Sequence, residues 1–147
     1  RAHHRQLPYM EAVYDVLEKN HGKVIYFDFW ARWCPPCLTE MEPLKQLRSK
    51  FSTNDLIIYS ICVSEPKEQW EECLNEYSLK NCGIECVHVT DYLGIDNYQK
   101  IRKQWKIDRI PYYILINRKG QIIDFGATAR PSNPQLVSRI EDAVNSK

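Results

Sequence analysis

The chain has 147 residues, 44% hydrophobic and 27% charged, the make-up of one globular domain with a core of its own. A net charge of +1 gives no basis for binding nucleic acid or an anionic membrane surface. No run approaches the roughly 18 consecutive apolar residues of a membrane-spanning helix. The chain opens at Arg1 without Met and carries no signal-peptide pattern, so it reads as a mature form or the C-terminal part of a longer chain. Residues 1–147 are expected to form a single domain, with 1–7 as a polar tail.

In chain order, Pro8 can open a helix in which Tyr9, Val13, Val16 and Leu17 recur at helical spacing, and Asn20-His21-Gly22 ends it. Val24–Trp30 is dense in β-branched and aromatic residues, as in a central strand covered on both faces. A helix is expected from Leu38 to about Lys50, kinked by Pro43. Leu56–Val63 reads as a second buried strand. Pro66 opens a helix with Trp70, Cys73, Leu74 and Tyr77 on its apolar face. Cys86–Thr90 is a short strand, with His88 alternating outward between Val87 and Val89. Ile95–Trp105 reads as a helix with Ile101 and Trp105 inward. Pro111–Ile116 and Gln121–Phe125 make a hairpin about Asn117-Arg118-Lys119-Gly120, and Gln135–Val144 is a closing helix. Parallel crossover units followed by an antiparallel hairpin predict an α/β fold: one mixed central sheet with helices on both faces.

The chemistry concentrates in Trp33-Cys34-Pro35-Pro36-Cys37, between the first strand and a helix. Two cysteines separated by two residues at a helix start form a dithiol that closes without unfolding anything. The helix N-terminus points free N–H groups and partial positive charge at the first sulfur. That favours thiolate, the form that attacks disulfides. The prolines fit because the first turn does not use their missing N–H groups. Lowering a thiol pKa from ~8.5 to ~7 raises the thiolate fraction about 16-fold, but reduced nucleophilicity returns about 6-fold of that gain. The larger benefit is a better leaving group when Cys37 resolves a mixed disulfide. A structural disulfide or half a zinc site is the plainer alternative. Zinc needs about four ligands, and the candidate partner cluster Cys82-x3-Cys86-x-His88 lies far away in sequence. Cys62 and Cys73 fall on apolar faces as buried thiols, while Cys82 and Cys86 flank Gly83 and could close a short disulfide.

Asp28-Phe29-Trp30-Ala31-Arg32-Trp33-Cys34-Pro35-Pro36-Cys37 resembles the active-site segment of the thioredoxin-like superfamily, and Ile110-Pro111 before a strand and an Asn-Arg-Lys-Gly turn resembles its second signature. The extra helix and strand between Val63 and Thr90, and Glu40 three residues after Cys37, resemble TlpA/ResA-like thiol-disulfide oxidoreductases. The resemblance implies a thioredoxin fold with a TlpA-type helix-strand insertion. It implies that Cys34 is the attacking, solvent-facing sulfur and Cys37 the buried resolving one. Asp28 matches a buried acid that moves the Cys37 proton, Glu40 an acid near the dithiol, and Pro111 a cis-proline that leaves the Ile110 backbone free to pair with substrate. Many TlpA-like proteins carry Asn where this chain has Asp28, and proline one position earlier, where this chain has Glu42. From the residues themselves, Trp33 reads as an exposed apolar shoulder, Trp30 as packing, and Tyr112 either lines the substrate groove or packs in its strand.

The implied activity is reduction of protein disulfides by dithiol-disulfide exchange. It needs no cofactor beyond the redox-active Cys34–Cys37 disulfide and no metal, but it needs an upstream thiol electron donor. The implied setting is periplasmic or extracytoplasmic and membrane-associated, and the expected assembly is a monomer. The same Trp-Cys-Pro-Pro-Cys string occurs in tryparedoxins and nucleoredoxins, which would make the chain a cytoplasmic reductase feeding a peroxidase. An oxidase or isomerase runs the same exchange in another direction. A partner-binding module using the groove around Pro111 is the non-enzymatic alternative.

Overall fold

The computed structural model describes residues 14–64, 66–92, 99, 102–103, 107 and 109–146. The expected tail, the start of the first helix, and most of the helix expected over 95–105, Ile101 and Trp105 included, lie outside the described residues; 99, 102 and 103 are helical.

Helix α1 (Tyr14–Lys19) runs into the Asn20–Gly22 turn, where Gly22 takes φ +82°. Strand β1 (Val24–Trp30) follows, every residue buried. It lies between β2 (Leu56–Cys62), parallel to it, and β4 (Tyr112–Ile116), antiparallel. Beyond β2 lies β3 (Glu85–His88), parallel; beyond β4 lies β5 (Ile122–Gly126), antiparallel. The five-stranded mixed sheet has the order β3-β2-β1-β4-β5, and the position of β1 explains its unbroken apolar character.

Alternate residues of β1 build two cores. Ile25, Phe27 and Phe29 pack with Tyr59, Ile61, Ile114, Ile116 and the Val16 and Leu17 side chains of α1. Val24 and Tyr26 pack with Ile58 and Leu115 beneath α3 (Met41–Ser49) and α6 (Pro134–Asn145). Each such side chain, fully withdrawn from water, contributes about 1.5–3 kcal/mol. The buried Tyr26 hydroxyl donates to Ala129 O at 2.5 Å, so its burial leaves no free donor. At the C-terminal end of β1 and β2 a third cluster gathers Trp30, Cys62, Cys34, Cys37, Met41, Cys73 and Leu74.

The expected single helix after the dithiol is two: α2 (Pro35–Thr39) and α3, broken at Glu40. Pro43 is the cause, acting upstream of itself. It has no N–H for Thr39 O four residues back, and its ring crowds that carbonyl. The chain tightens instead, with Glu40 N–H bonding Cys37 O, and Pro43 falls in the first turn of a new helix. Helix α4 (Lys67–Glu76) starts after Pro66 as expected. The strand expected over Cys86–Thr90 is β3, one residue earlier, and Val89 already opens a short helix, α5 (Val89–Tyr92). His88 is fully buried rather than outward. The Trp70 ring of α4 covers it at 5.6 Å, and both its nitrogens are paired, Nε2 with Ser64 O and Nδ1 with Thr90 Oγ1, each at 2.7 Å. Pairing both nitrogens removes the cost that makes a polar residue seek the outer face. Helix α6 begins one residue earlier than expected, because Asn133 caps it through Gln135 N–H and Pro134 takes the first position. Among the described residues no helix is long and apolar enough to cross a membrane.

Candidate active site

The site sits where β1 ends. After Trp30, the Ala31–Trp33 turn delivers Cys34 to the capping position of α2, with φ −111° and ψ 94°. Pro35 and Pro36 have no N–H, so Cys37 supplies the first donor of the helix, and it bonds Cys34 Sγ at 3.3 Å. The prolines thus aim one particular N–H at the first sulfur. Cys34 and Cys37 are joined by a disulfide, with Cα atoms 5.3 Å apart.

Trp33 is 70% exposed and stands beside the disulfide as the expected apolar shoulder. Cys34 is not solvent-facing: it is 4% exposed, against 2% for Cys37. Trp33, Pro35 and Pro36 around it are exposed, while Cys34 and Cys37, joined to each other, are both buried. Trp30 is fully buried beneath the pair, as packing.

Asp28 lies two residues before Trp30, on the α3 side of the sheet, opposite Ser60 on β2 and Tyr113 on β4. It is 4% exposed. Burial is the main cause that pushes its carboxyl up to about 8. The negative charge of Glu40 adds to the rise, and a long 3.5 Å hydrogen bond from Ser60 Oγ works against it. The carboxyl can therefore take up and release a proton in the range where thiols exchange.

Glu40, at the α2–α3 break, is also buried. Its two oxygens accept from Ser132 N–H at 2.9 Å and Ser132 O–H at 2.7 Å. Ile110–Pro111 is a cis peptide at the start of β4. Because Phe29 pairs with Tyr112, that peptide lies beside the end of β1, and Ile110 packs against the cluster holding both cysteines. Tyr112 is in the other core, with Phe29, Phe27 and Ile114. The fold thus brings Cys34, Cys37, Trp33 and Ile110 to one pole, with Asp28 and Glu40 beneath them, and sends the Tyr112 ring to the far side of the sheet.

Two supporting residues escaped the sequence reading. Ser132 clamps Glu40 from ninety-two positions away. Ser64 accepts Arg32 N–H at 3.0 Å through Oγ, which also lies 3.3 Å from Cys62 Sγ, and so anchors the active-site turn to the end of β2. No local pattern marks either serine. Cys62 and Cys73 are buried, and burial pushes both thiols up. Cys82 and Cys86 are free thiols, not a disulfide. Among the described residues no group of three or more His, Cys, Asp or Glu side chains could hold a metal ion.

Comparison with known proteins follows the same lines. A family model described as Redoxin matches residues 10–144. Thiol-disulfide oxidoreductase ResA from Bacillus thuringiensis (strain Al Hakam) is 26% identical over 108 residues, covering 74% of this chain and 57% of the relative. The chain thus spans little more than half the length of the curated relatives it matches. The solution structure of a candidate thiol-disulfide oxidoreductase from Bacteroides vulgatus shares 34% identity, with a TM-score of 0.67 over 86% of this chain and 76% of that one. The thioredoxin domain of a thiol-disulfide oxidoreductase from the same organism shares 23% identity at a TM-score of 0.72, covering 88% of this chain and 84% of its own. The expected thioredoxin fold is therefore the fold observed.

Proposed function

Because the chain belongs to the Redoxin family, we propose that it is a thiol-disulfide oxidoreductase that reduces protein disulfides through Cys34 and Cys37. The observation that carries this reading is the Cys34–Cys37 disulfide at the start of α2, with a buried carboxyl in the strand beneath it. In the reduced protein the Cys34 thiolate attacks a substrate disulfide and displaces one substrate thiolate. Cys37 gives its proton to the Asp28 carboxylate and attacks Cys34. The second substrate thiol leaves, and the internal disulfide remains. The N–H of Cys37 that bonds Cys34 Sγ stabilises that sulfur as attacking thiolate and as leaving group alike.

Glu40 keeps negative charge near Asp28 and so keeps the Asp28 proton affinity high. Trp33, Ile110 and Pro111 form the substrate-side surface, with the Ile110 backbone pairing an extended segment and Trp33 covering its apolar residues, while Tyr112, expected either to line that groove or to pack in its strand, packs. An upstream thiol donor returns the disulfide to the dithiol. We place the protein outside the cytoplasm and associated with a membrane, on the strength of its resemblance to the TlpA/ResA group.

The test is the reduction potential of the pair, by equilibration with glutathione after replacing Cys62, Cys73, Cys82 and Cys86 by Ala. A value of about −270 mV or lower is expected of a reductase. A value of about −120 to −180 mV would overturn the reductive direction in favour of oxidation or isomerisation. A pair that never closes would remove the exchange chemistry altogether.

A further inference from the structure

A second dithiol lies on the flank of the sheet. Cys82 and Cys86 are both free and both half-buried. Cys82 Sγ donates to Leu79 O at 3.0 Å, and Cys86 Sγ reaches the same oxygen at 3.7 Å. One acceptor shared by two thiols confines both sulfurs to one small space. The intervening chain is built to bring them together. An extended four-residue step would carry the two side chains well apart, but Gly83 between them sits at φ +86°, which turns the chain back before β3 begins. Both side chains pack against the core under α3 and α6.

We propose that Cys82 and Cys86 are a second exchange-active dithiol, which low-molecular-weight disulfides such as glutathione disulfide oxidise to a reversible Cys82–Cys86 disulfide. The two thiols are unequal, and the inequality sets the order of events. Burial, the neighbouring Cys82 and Asp28 across the sheet push the Cys86 thiol up to about 12, so it is not the group that attacks first. Cys82 lies within the field of the Arg48 guanidinium, which is fixed by Leu56 O and Phe51 O and whose stem runs 3.4 Å from where a Cβ at Gly83 would stand. Cys82 as thiolate attacks one sulfur of glutathione disulfide, forming a mixed disulfide and releasing one glutathione thiolate, which takes up a proton. Cys86 loses its proton to solvent as its sulfur attacks the Cys82 sulfur, and the second glutathione leaves. Two electrons and two protons pass from the protein dithiol to one glutathione disulfide, giving two glutathione molecules. Oxidation also withdraws both S–H donors from the carbonyl of Leu79, a fully buried residue. That loss opposes closure and keeps the bond open to reduction.

The wild-type chain serves for the test, because trypsin separates the two dithiols. Cleavage after Arg32 and Lys45 isolates Trp33–Lys45 with the first pair, and cleavage after Lys80 and Lys100 isolates 81–100 with the second. The protein is equilibrated with mixtures of reduced and oxidised glutathione, quenched in acid, alkylated under denaturing conditions and mapped by mass spectrometry. The expected result is that oxidising mixtures make the 81–100 peptide two hydrogens lighter and free of alkyl label, and that dithiothreitol restores both labels. Cys86→Ala should halt the reaction at the glutathione adduct of Cys82. Complete alkylation of both cysteines in oxidising mixtures, or a glutathione adduct persisting in the wild-type peptide, would overturn the proposal. The Trp33–Lys45 peptide from the same digest reports the first pair independently, so failure of either dithiol is seen apart from the other.

Discussion

Asp28 carries a carboxyl into a strand that is otherwise apolar, and its environment settles which form it takes. An unfolded aspartate titrates near ~3.9, whereas in the fold burial pushes this carboxyl up to about 8. Between those values the folded chain holds a proton that the unfolded chain has released. Stability is therefore greatest at and below the unfolded value, falls as pH rises through the interval, and levels off above the folded value. Asparagine has no such titration. Each pH unit inside the interval is worth about 1.4 kcal/mol, so between pH 5 and pH 7 the oxidised wild-type protein should lose about 3 kcal/mol relative to Asp28→Asn. Urea unfolding at a series of pH values measures this. A difference that stays constant with pH would show that Asp28 is ionised in the folded chain throughout.

The α2–α3 junction shows how one residue's effect appears at another. Pro43 ends the helix at Glu40, and the break leaves the Glu40 side chain at the bend, where Ser132 holds both oxygens. The clamp ties the disulfide-bearing element to the loop before α6. Ser132→Ala keeps the backbone N–H bond and deletes the hydroxyl bond to a carboxylate. It should cost about 1–2 kcal/mol in urea unfolding, while Ser132→Thr should restore most of the loss; equal stability of the alanine and threonine variants would deny the hydroxyl a role. Elements written by local pattern were legible in the sequence. Val24–Trp30 is a strand to the residue, because a sheet-centre strand is apolar on both faces. The dithiol context was equally plain, because turn, prolines and cysteines are consecutive. What the sequence hid is non-local. The break at Glu40 comes from a clash four residues upstream of the proline. The Ser132 clamp depends on residues ninety-two apart. The inward His88 depends on a tryptophan from another helix and two hydrogen-bond partners, which reverse the face its alternation implied.

The molecule divides its tasks between two poles. The parallel strands β1, β2 and β3 all run toward the disulfide, and β4 starts there with the cis Ile110–Pro111 peptide. At the other pole the β4–β5 turn delivers Arg118, which reads in the sequence as only a turn residue. Its guanidinium bonds Gly22 O at 2.9 Å, Asp55 Oδ1 at 3.0 Å and Val144 O at 2.8 Å, fastening the approach to β1, the approach to β2 and the end of α6 together. Its side chain is 22% exposed, so these bonds are only partly screened, and two of the acceptors are carbonyls that would lose their charged donor. Arg118→Met keeps much of the stem's packing and removes the fork. It should lower stability by about 2–3 kcal/mol in urea unfolding. Because the full length of the sheet separates the fork from the dithiol, the reduction potential of Cys34–Cys37 should move by less than about 10 mV, well under the roughly 30 mV of a tenfold change in the exchange equilibrium. Measuring both quantities on one variant tests the division: a potential that shifts together with stability would mean that the rigidity of the far pole is transmitted through the sheet to the sulfur chemistry.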